Sequence, residues 1–262
     1  MIRALRSAAT GMYAQELYVD VIANNLSNVN TTGFKRSKIE FQDLLYSKIQ
    51  SVGAENDLTN ATNVAIQIGH GTRPMSIVKQ FTQGDIQTTE NPLDFAINGD
   101  GFFQIQLADG TLAATRDGAF KLSADGQFVT ADGLILEPSI SLPQDTKSFY
   151  VGPDGVISVT LSGQTDPESI GQLELARFIN PAGLESLGRN LFIPTVASGE
   201  AQFGAPEDEG FGRILQGFLE VSNVNVVEEM INLIIAQRAY EINSKAIKTA
   251  DEMLSTANGL HR

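Results

Sequence analysis

The 262-residue chain contains no cysteine and no tryptophan, and only two histidines. Without thiols, neither a disulfide framework nor a thiolate metal site can form. His70, in Gly69-His70-Gly71, and His261 near the end cannot supply a His-based zinc site or a relay to a serine nucleophile. Basic residues are scarce: 18 Lys and Arg against 31 Asp and Glu, a net charge of −13. That balance argues against binding nucleic acid through its phosphates. The densest basic cluster, Lys35-Arg36-Ser37-Lys38, reads as one solvated turn. No apolar run approaches the length of a membrane span, so no membrane insertion is expected. Ser7, Thr10, Gln15 and Glu16 interrupt the stretch after Arg3 and Arg6, where a signal peptide would need an apolar core. The expectation is a protein without a cleaved Sec signal, either cytosolic or exported by another route.

Catalytic groups are equally hard to find. The carboxylate clusters Glu228-Glu229, Asp251-Glu252 and Glu207-Asp208-Glu209 fall at a helix start, on an exposed helix face and in a Gly/Pro-flanked loop. None announces a pocket that would raise one pKa for acid–base work. Gly99-Asp100-Gly101, followed by Phe102-Phe103, lacks the lysine and the helix of a phosphate loop. The sequence therefore predicts no enzyme, no catalytic residue, no cofactor and no metal site.

What is present is periodicity. Apolar residues make up 42% of the chain, enough for a sizeable core. Near the C-terminus Val226, Leu233, Tyr240, Ile247 and Leu254 recur at steps of seven. Three positions after each come Glu229, Ala236, Asn243, Ala250 and Ala257, which are small or polar. This pattern predicts an amphipathic helix with a narrow, coiled-coil-like stripe. Asn225 is placed to cap it, with Glu228 and Glu229 at its positive end and Asn258-Gly259 as a stop. At about 1.5 Å per residue it would be a rod about 50 Å long, and so thin a stripe needs partners. The N-terminus mirrors it: Leu5, Met12, Val19 and Leu26 recur at steps of seven, followed at three by Ala8, Gln15, Ile22 and Val29. A helix is expected from about Arg3 to Asn30, ended by Thr31-Thr32-Gly33. Gly11 lies inside it, costing about 1 kcal/mol relative to Ala. The simplest inference is that the two terminal helices pair and the rest is inserted between them. Asn24, Asn25, Asn28 and Asn30 cluster late in the first helix, and Asn223 and Asn225 open the last. Capping explains Asn30 and Asn225. The others are open between side-chain hydrogen bonds that fix register and plain solvated polarity.

Ser37 to Gln50 is ambiguous, since Ile39, Phe41, Leu44, Leu45 and Ile49 could line a helix face or an irregular connector. Ser51 to Gly71 is polar and small, with one short strand expected around Val64, Ile66 and Ile68 and mobility expected elsewhere. From Asn91 to about Glu220 the period becomes two, as in Phe103, Ile105 and Leu107. Asp109-Gly110, Asp117-Gly118, Asp125-Gly126, Asp132-Gly133 and Asp154-Gly155 punctuate the runs. Asp-Gly between alternating strands marks tight hairpins, so this middle reads as an antiparallel β domain. The spacing of the Asp-Gly pairs invites a calcium reading, but the paired glycines of a β-roll and the carboxylate set of an EF-hand are missing.

Several longer stretches carry a resemblance. Ala23 to Lys35, reading ANNLSNVNTTGFK, is similar to the N-terminal signature of bacterial flagellar rod and hook proteins. Ser222 to Met230 and Gln237 to Ala246 resemble the paired C-terminal signature, and Asp94 to Phe103 and Thr115 to Phe120 resemble pieces of the family's β domain. The likeness runs in order along the whole chain. Within the family, Tyr46 to Pro74 resembles the stretch that marks the distal-rod members. The resemblance implies an α+β fold: a discontinuous coiled-coil domain built from both termini, with an inserted antiparallel all-β domain. Its expected divisions are 1–35, a connector at 36–90, an outer β domain at 91–220, and 221–262. It implies a structural subunit of a rigid rod that transmits torque, assembling with itself in a helical array. Further implied partners are proximal rod proteins and hook protein along the axis, the surrounding P- and L-rings, and the flagellar type III export apparatus. The expected assembly interface comprises the helix columns Leu5, Met12, Val19, Ile22 and Leu26, and Val226, Leu233, Tyr240, Asn243, Ile247 and Leu254. To these are added Asn24, Asn25, Asn28, Asn30, Gly33, Phe34, Asn223 and Asn225. A hook or proximal-rod member, or a secreted β-rich oligomeric binding module, are the alternatives.

Overall fold

The computed structural model describes residues 2–50, 66–163 and 166–259. Most of the polar stretch from Ser51, including Val64, lies outside the described residues, as does His261. The chain divides into two units: Met1–Ser27, Ser37–Val78 and Asn225–Arg262 form one, and Asn28–Arg36 with Lys79–Val224 the other. Helices sit at the two ends of the chain and all assigned strand registers between them are antiparallel, giving the α+β fold expected.

In the first unit, helix α1 (Ile2–Ser27) packs along helix α2 (Val226–Gly259). The pair is antiparallel: Gly11 lies against Asn243, whereas Glu16, Val19 and Asp20 share a groove with Gln237, Tyr240 and Glu241. α2 has 34 residues against 26 in α1, so it outruns α1 by roughly two turns at about 3.6 residues per turn. Neither helix is long and apolar enough to cross a membrane. α1 stops at Ser27, short of Asn30, because the Ser27 hydroxyl turns back to Ala23 O at 2.8 Å and Thr31 N–H closes a turn onto Asn28 O at 3.2 Å. A second face of α1 packs on a two-stranded ribbon. Ser37–Asp43 pairs with Thr72–Lys79, and Tyr46–Gln50 pairs antiparallel with Ile66–Gly69, with Tyr46 opposite Gly69. Ser37–Asp43 and Tyr46–Gln50 are therefore strands, neither helix nor irregular connector, with Leu44-Leu45 between them.

The second unit is a β structure around Phe95, Phe103, Ile105, Phe128, Ile157 and Leu175, all nearly inaccessible. Its largest sheet has seven strands in the order Glu185–Gly188, Leu191–Ile193, Leu112–Thr115, Phe103–Gln106, Ile135–Glu137, Phe128–Val129 and Lys121–Leu122. Asp109-Gly110, Asp125-Gly126, Asp132-Gly133 and Asp154-Gly155 each close a hairpin with glycine φ between 76° and 83°, the left-handed residue that ends a three-residue loop. Asp117-Gly118 does not. Gly118 sits where any Cβ would overlap the Phe95 carbonyl, and its own carbonyl accepts from Phe95 N–H at 3.0 Å. That glycine serves close backbone approach, not a turn.

Candidate assembly surfaces

Three arrangements organise the two units: the helix seam and the α1–ribbon contact in the first, and a buried ionic junction in the second.

Along α2 the fully buried residues are Glu229, Ala236 and Ala250, members of the small column. The large column stays partly wet. Leu233, Ile247 and Leu254 are half-buried, while Val226 and Tyr240 are exposed at 39% and 44%. On α1, Leu5, Met12, Val19 and Leu26 are half-buried and Ile22 is fully buried. Ala236 and Ala250 lie deep because small side chains let the two backbones approach, while Glu229 and Ile22 are buried as well. The interior glycine of α1 has the same cause: a Cβ on Gly11 would stand 2.9 Å from Asn243 Nδ2. Asn225 caps α2, its Oδ1 accepting from Val227 and Glu228 N–H at 3.0 and 3.3 Å. Beyond the seam, α2 carries Val227, Met230, Ile231, Ile234, Ile235 and Ile242, each at least half exposed within the single chain.

The asparagines separate into roles. Asn25, buried, makes a two-point pair with the Ser37 backbone: Nδ2 donates to Ser37 O and Oδ1 accepts from Ser37 N–H, both at 2.9 Å. Its amide thus acts as one more strand residue, tying α1 to the ribbon. Tyr18 and Phe41 meet edge-to-face at 6.2 Å on the same side. Further along α1, Thr10 Oγ1 accepts from Thr72 N–H at 3.4 Å. Gly71, with φ of 108°, has no room for a side chain beside Thr10. Asn24 and Asn30 are exposed, and Asn28 accepts from the Thr31 hydroxyl at 3.2 Å.

In the β unit three chain segments are clasped together. Asn223 Oδ1 accepts from Arg36 N–H at 2.7 Å, and its Nδ2 donates to Gln80 O and Thr82 O at 2.9 and 3.0 Å. Lys35 is fully buried, which corrects its reading as part of a solvated turn. Its Nζ lies 2.5 Å from Glu220 Oε1 and 2.8 Å from Thr82 O. Glu220 Oε1 also accepts from Gly84 N–H at 2.9 Å, and Oε2 faces Arg116 Nη1 at 3.4 Å. Arg116 Nη2 donates to Gly99 O at 2.9 Å. Burial pulls the Lys35 ammonium below its ordinary pKa, opposed by the charge and hydrogen bond of Glu220. Burial lowers Arg116 likewise, against Glu220 and Asp100. Phe34 is buried beneath Lys79, whose ammonium sits 4.6 Å above the ring. Gly33, at φ 66°, lies so close to the Arg116–Asp117 backbone that a Cβ would be 2.5 Å from Asp117 N. Thr32 donates to Asp117 Oδ1 at 2.8 Å, and burial raises the Asp117 pKa despite that bond.

The expected residues are divided between the two units: Leu5 to Leu26, with Asn225 to Leu254, belong to the helical unit, and Asn28, Asn30, Gly33, Phe34 and Asn223 to the β unit. Lys35, Arg116 and Glu220 were missed as functional residues. Two of them stand inside the quoted motifs, but lysine and arginine read by default as surface. Among the described residues no cluster of His, Cys, Asp or Glu is arranged to hold a metal.

This geometry defines a class: a structural subunit whose chain ends return to one antiparallel helix pair, with a β unit inserted and an apolar helix face uncovered. Comparison with known proteins narrows it. The family model "Flagella basal body rod protein" matches residues 5–35, "Flagellar hook protein FlgE/F/G D1 domain" residues 96–159, and "Flagellar basal body rod FlgEFG protein C-terminal" residues 215–260. Flagellar basal-body rod protein FlgG of Borreliella burgdorferi is 48% identical over 264 residues, covering 100% of both chains. The FlgG proteins of Buchnera aphidicola subsp. Schizaphis graminum and Bacillus subtilis are 47% and 39% identical. They align over 99% and 100% of this chain and 100% of their own. The chain belongs to the flagellar basal-body rod protein family, and it is a structural subunit of the flagellar basal body.

Proposed function

We propose that the chain polymerises into the distal rod, the rigid shaft carrying torque from motor to hook. The observation that carries this reading is the exposed apolar face of α2 beside a seam already closed by small residues. Burying each half-exposed side chain against a neighbour would contribute on the order of 1 kcal/mol. A helix pair with a second apolar face suits a heterologous, non-closing contact, which propagates as a helical array. In this reading the interface is drawn from the helix columns, including Leu5, Met12, Val19, Tyr240, Ile247 and Leu254, together with the exposed face of α2. The clasp at Gly33, Phe34 and Asn223 holds the segments that enter and leave the β unit.

The finer partners belong to the same proposal: proximal rod proteins and hook protein along the axis, and P- and L-rings around a periplasmic shaft. Export would use the flagellar type III apparatus in place of a cleaved Sec signal, a reading supported by the polar residues within α1. A purely mechanical, non-catalytic role fits the family of rod proteins to which the chain belongs. The divisions at 1–35, 36–90, 91–220 and 221–262 remain the working boundaries for truncations. Cryo-tomography of the host envelope after in-frame removal of residues 222–262 tests the assignment. A basal structure that stops partway, lacking distal rod and hook, is expected. A complete rod lacking only the hook moves the protein outward in the family, and intact rotating flagella reject the reading.

A further inference from the structure

In the β unit a small cavity of about 170 Å³ opens beside the ionic junction. Arg116 and Arg177 line it, with Asp100 and the rings of Phe81, Phe102 and Phe178. Two guanidinium groups and one carboxylate line the cavity, and of the two arginines Arg116 alone also faces Glu220. Neither arginine is used up. Arg116 spends Nη1 on a shared, 3.4 Å contact with Glu220 and Nη2 on Gly99 O. Its Nε–H, although the residue is only 4% exposed, has no acceptor. A buried donor left unpaired is destabilising, more so when charged. Arg177 makes no side-chain hydrogen bond or ion pair to the described residues. Its guanidinium lies close over Gly210, where a Cβ would overlap Nη1.

We propose that this cavity binds a carboxylate on a short apolar stem, the carboxylate between Arg116 and Arg177 and the stem against the phenylalanine rings. Guanidinium groups match carboxylate oxygens in charge and planarity. The size matters: drug-sized and nucleotide ligands need about 300 Å³ or more, so the site fits a side-chain-sized group. Two sources share this chemistry, a free small carboxylate and an Asp or Glu side chain of a second copy. Every copy presents exposed carboxylates such as Glu207, Asp208 and Glu209.

The test uses the full chain and propionate as probe, with propionamide as the uncharged isostere. Nitrogen-15 NMR should show the Nε–H signals of Arg116 and Arg177 shifting saturably with propionate and not with propionamide. Arg177→Gln, which leaves the Lys35–Glu220–Arg116 junction intact, should weaken binding roughly ten- to hundredfold, as expected for losing charged hydrogen bonds. Lys121→Gln, on the exposed edge of the sheet, should leave it unchanged. If polymerised protein no longer takes up propionate and Arg177→Gln assembles poorly, the natural ligand is a neighbouring acidic side chain. If polymer still binds propionate and Arg177→Gln assembles normally, it is a free carboxylate. Non-saturable shifts, or equal response to propionamide, overturn the proposal and leave a water-filled cavity. The binding result is independent of the rod assignment, so its failure does not touch that assignment.

Discussion

Replacing Glu220 by Gln should cost far more than its single lost charge implies. Glu220 is the one carboxylate paired with both Lys35 and Arg116, at 2.5 and 3.4 Å, with all three side chains at most 3% exposed. At an effective dielectric of about 20 the two gross attractions are about 7 and 5 kcal/mol. Most of that repays desolvation, so the measurable quantity is the cost of leaving two buried cations unpaired, about 3–5 kcal/mol. Gln keeps an oxygen for Gly84 N–H, which isolates the charge effect from that bond. Lys35→Met should cost clearly less, because Glu220 retains Arg116 and Gly84, and Thr82 O retains Asn223. In the double variant the two changes should offset one another by about 2 kcal/mol, the coupling expected for contacting charges. The chain has no tryptophan, so hydrogen exchange read by mass spectrometry in increasing urea is the suitable assay. The reporters are peptides covering Gly33 and Gly84, whose amides bond to Glu220. Wild-type stability in Glu220→Gln, or strict additivity of the single changes, would refute the argument.

Three further outcomes are expected. Gly33→Ala should destabilise the β unit by about 2–4 kcal/mol, combining the left-handed backbone cost with overlap onto the Arg116–Asp117 backbone; urea denaturation of the purified chain measures it. Asp117→Asn should make stability rise more steeply with pH, relative to the unsubstituted chain, on the acid side of the curve. With its folded pKa raised by burial, Asp117 binds more protons folded than unfolded, so its contribution is full below the ordinary value of 3.8 and lost as pH rises through the folded pKa. In the variant that decline with rising pH should vanish, as seen in unfolding midpoints between pH 3.5 and 7. Gly11→Ala should destabilise the helix pair in the wild-type background but stabilise it by up to about 1 kcal/mol in Asn243→Ala, where the facing amide is gone. Thermal unfolding followed at 222 nm distinguishes the two backgrounds.

Much of this architecture is legible in the sequence because it rests on period and turn chemistry. Steps of seven at both ends give the helix pair, and four Asp-Gly turns mark hairpins that positive φ demands. Ser37 to Gln50 was not resolvable, since Ile39, Phe41, Leu44 and Leu45 satisfy helical spacing as well as alternation. What decides it is tertiary: Asn25 offers its amide to Ser37 as a strand would. Asp117-Gly118 misled for the opposite reason, having the local signal of a hairpin while answering to the distant Phe95 carbonyl.

The site was less legible than the fold, and α2 gives the reason. A helical period reports which residues share a face; it does not report how many faces are covered. The large column at Val226, Leu233 and Tyr240 looked like the seam, but large side chains hold helices apart. The pairing partner is instead approached over Ala236, Ala250 and the Gly11–Asn243 contact. That arrangement leaves Val227, Ile231 and Ile234 together at spacings of four and three on another side of the helix. A chain folding for itself alone would place polar residues there, since apolar side chains left in water contribute nothing to its own stability. Their presence is what the proposed assembly explains: a helix that one copy only half covers, left for a neighbour to complete.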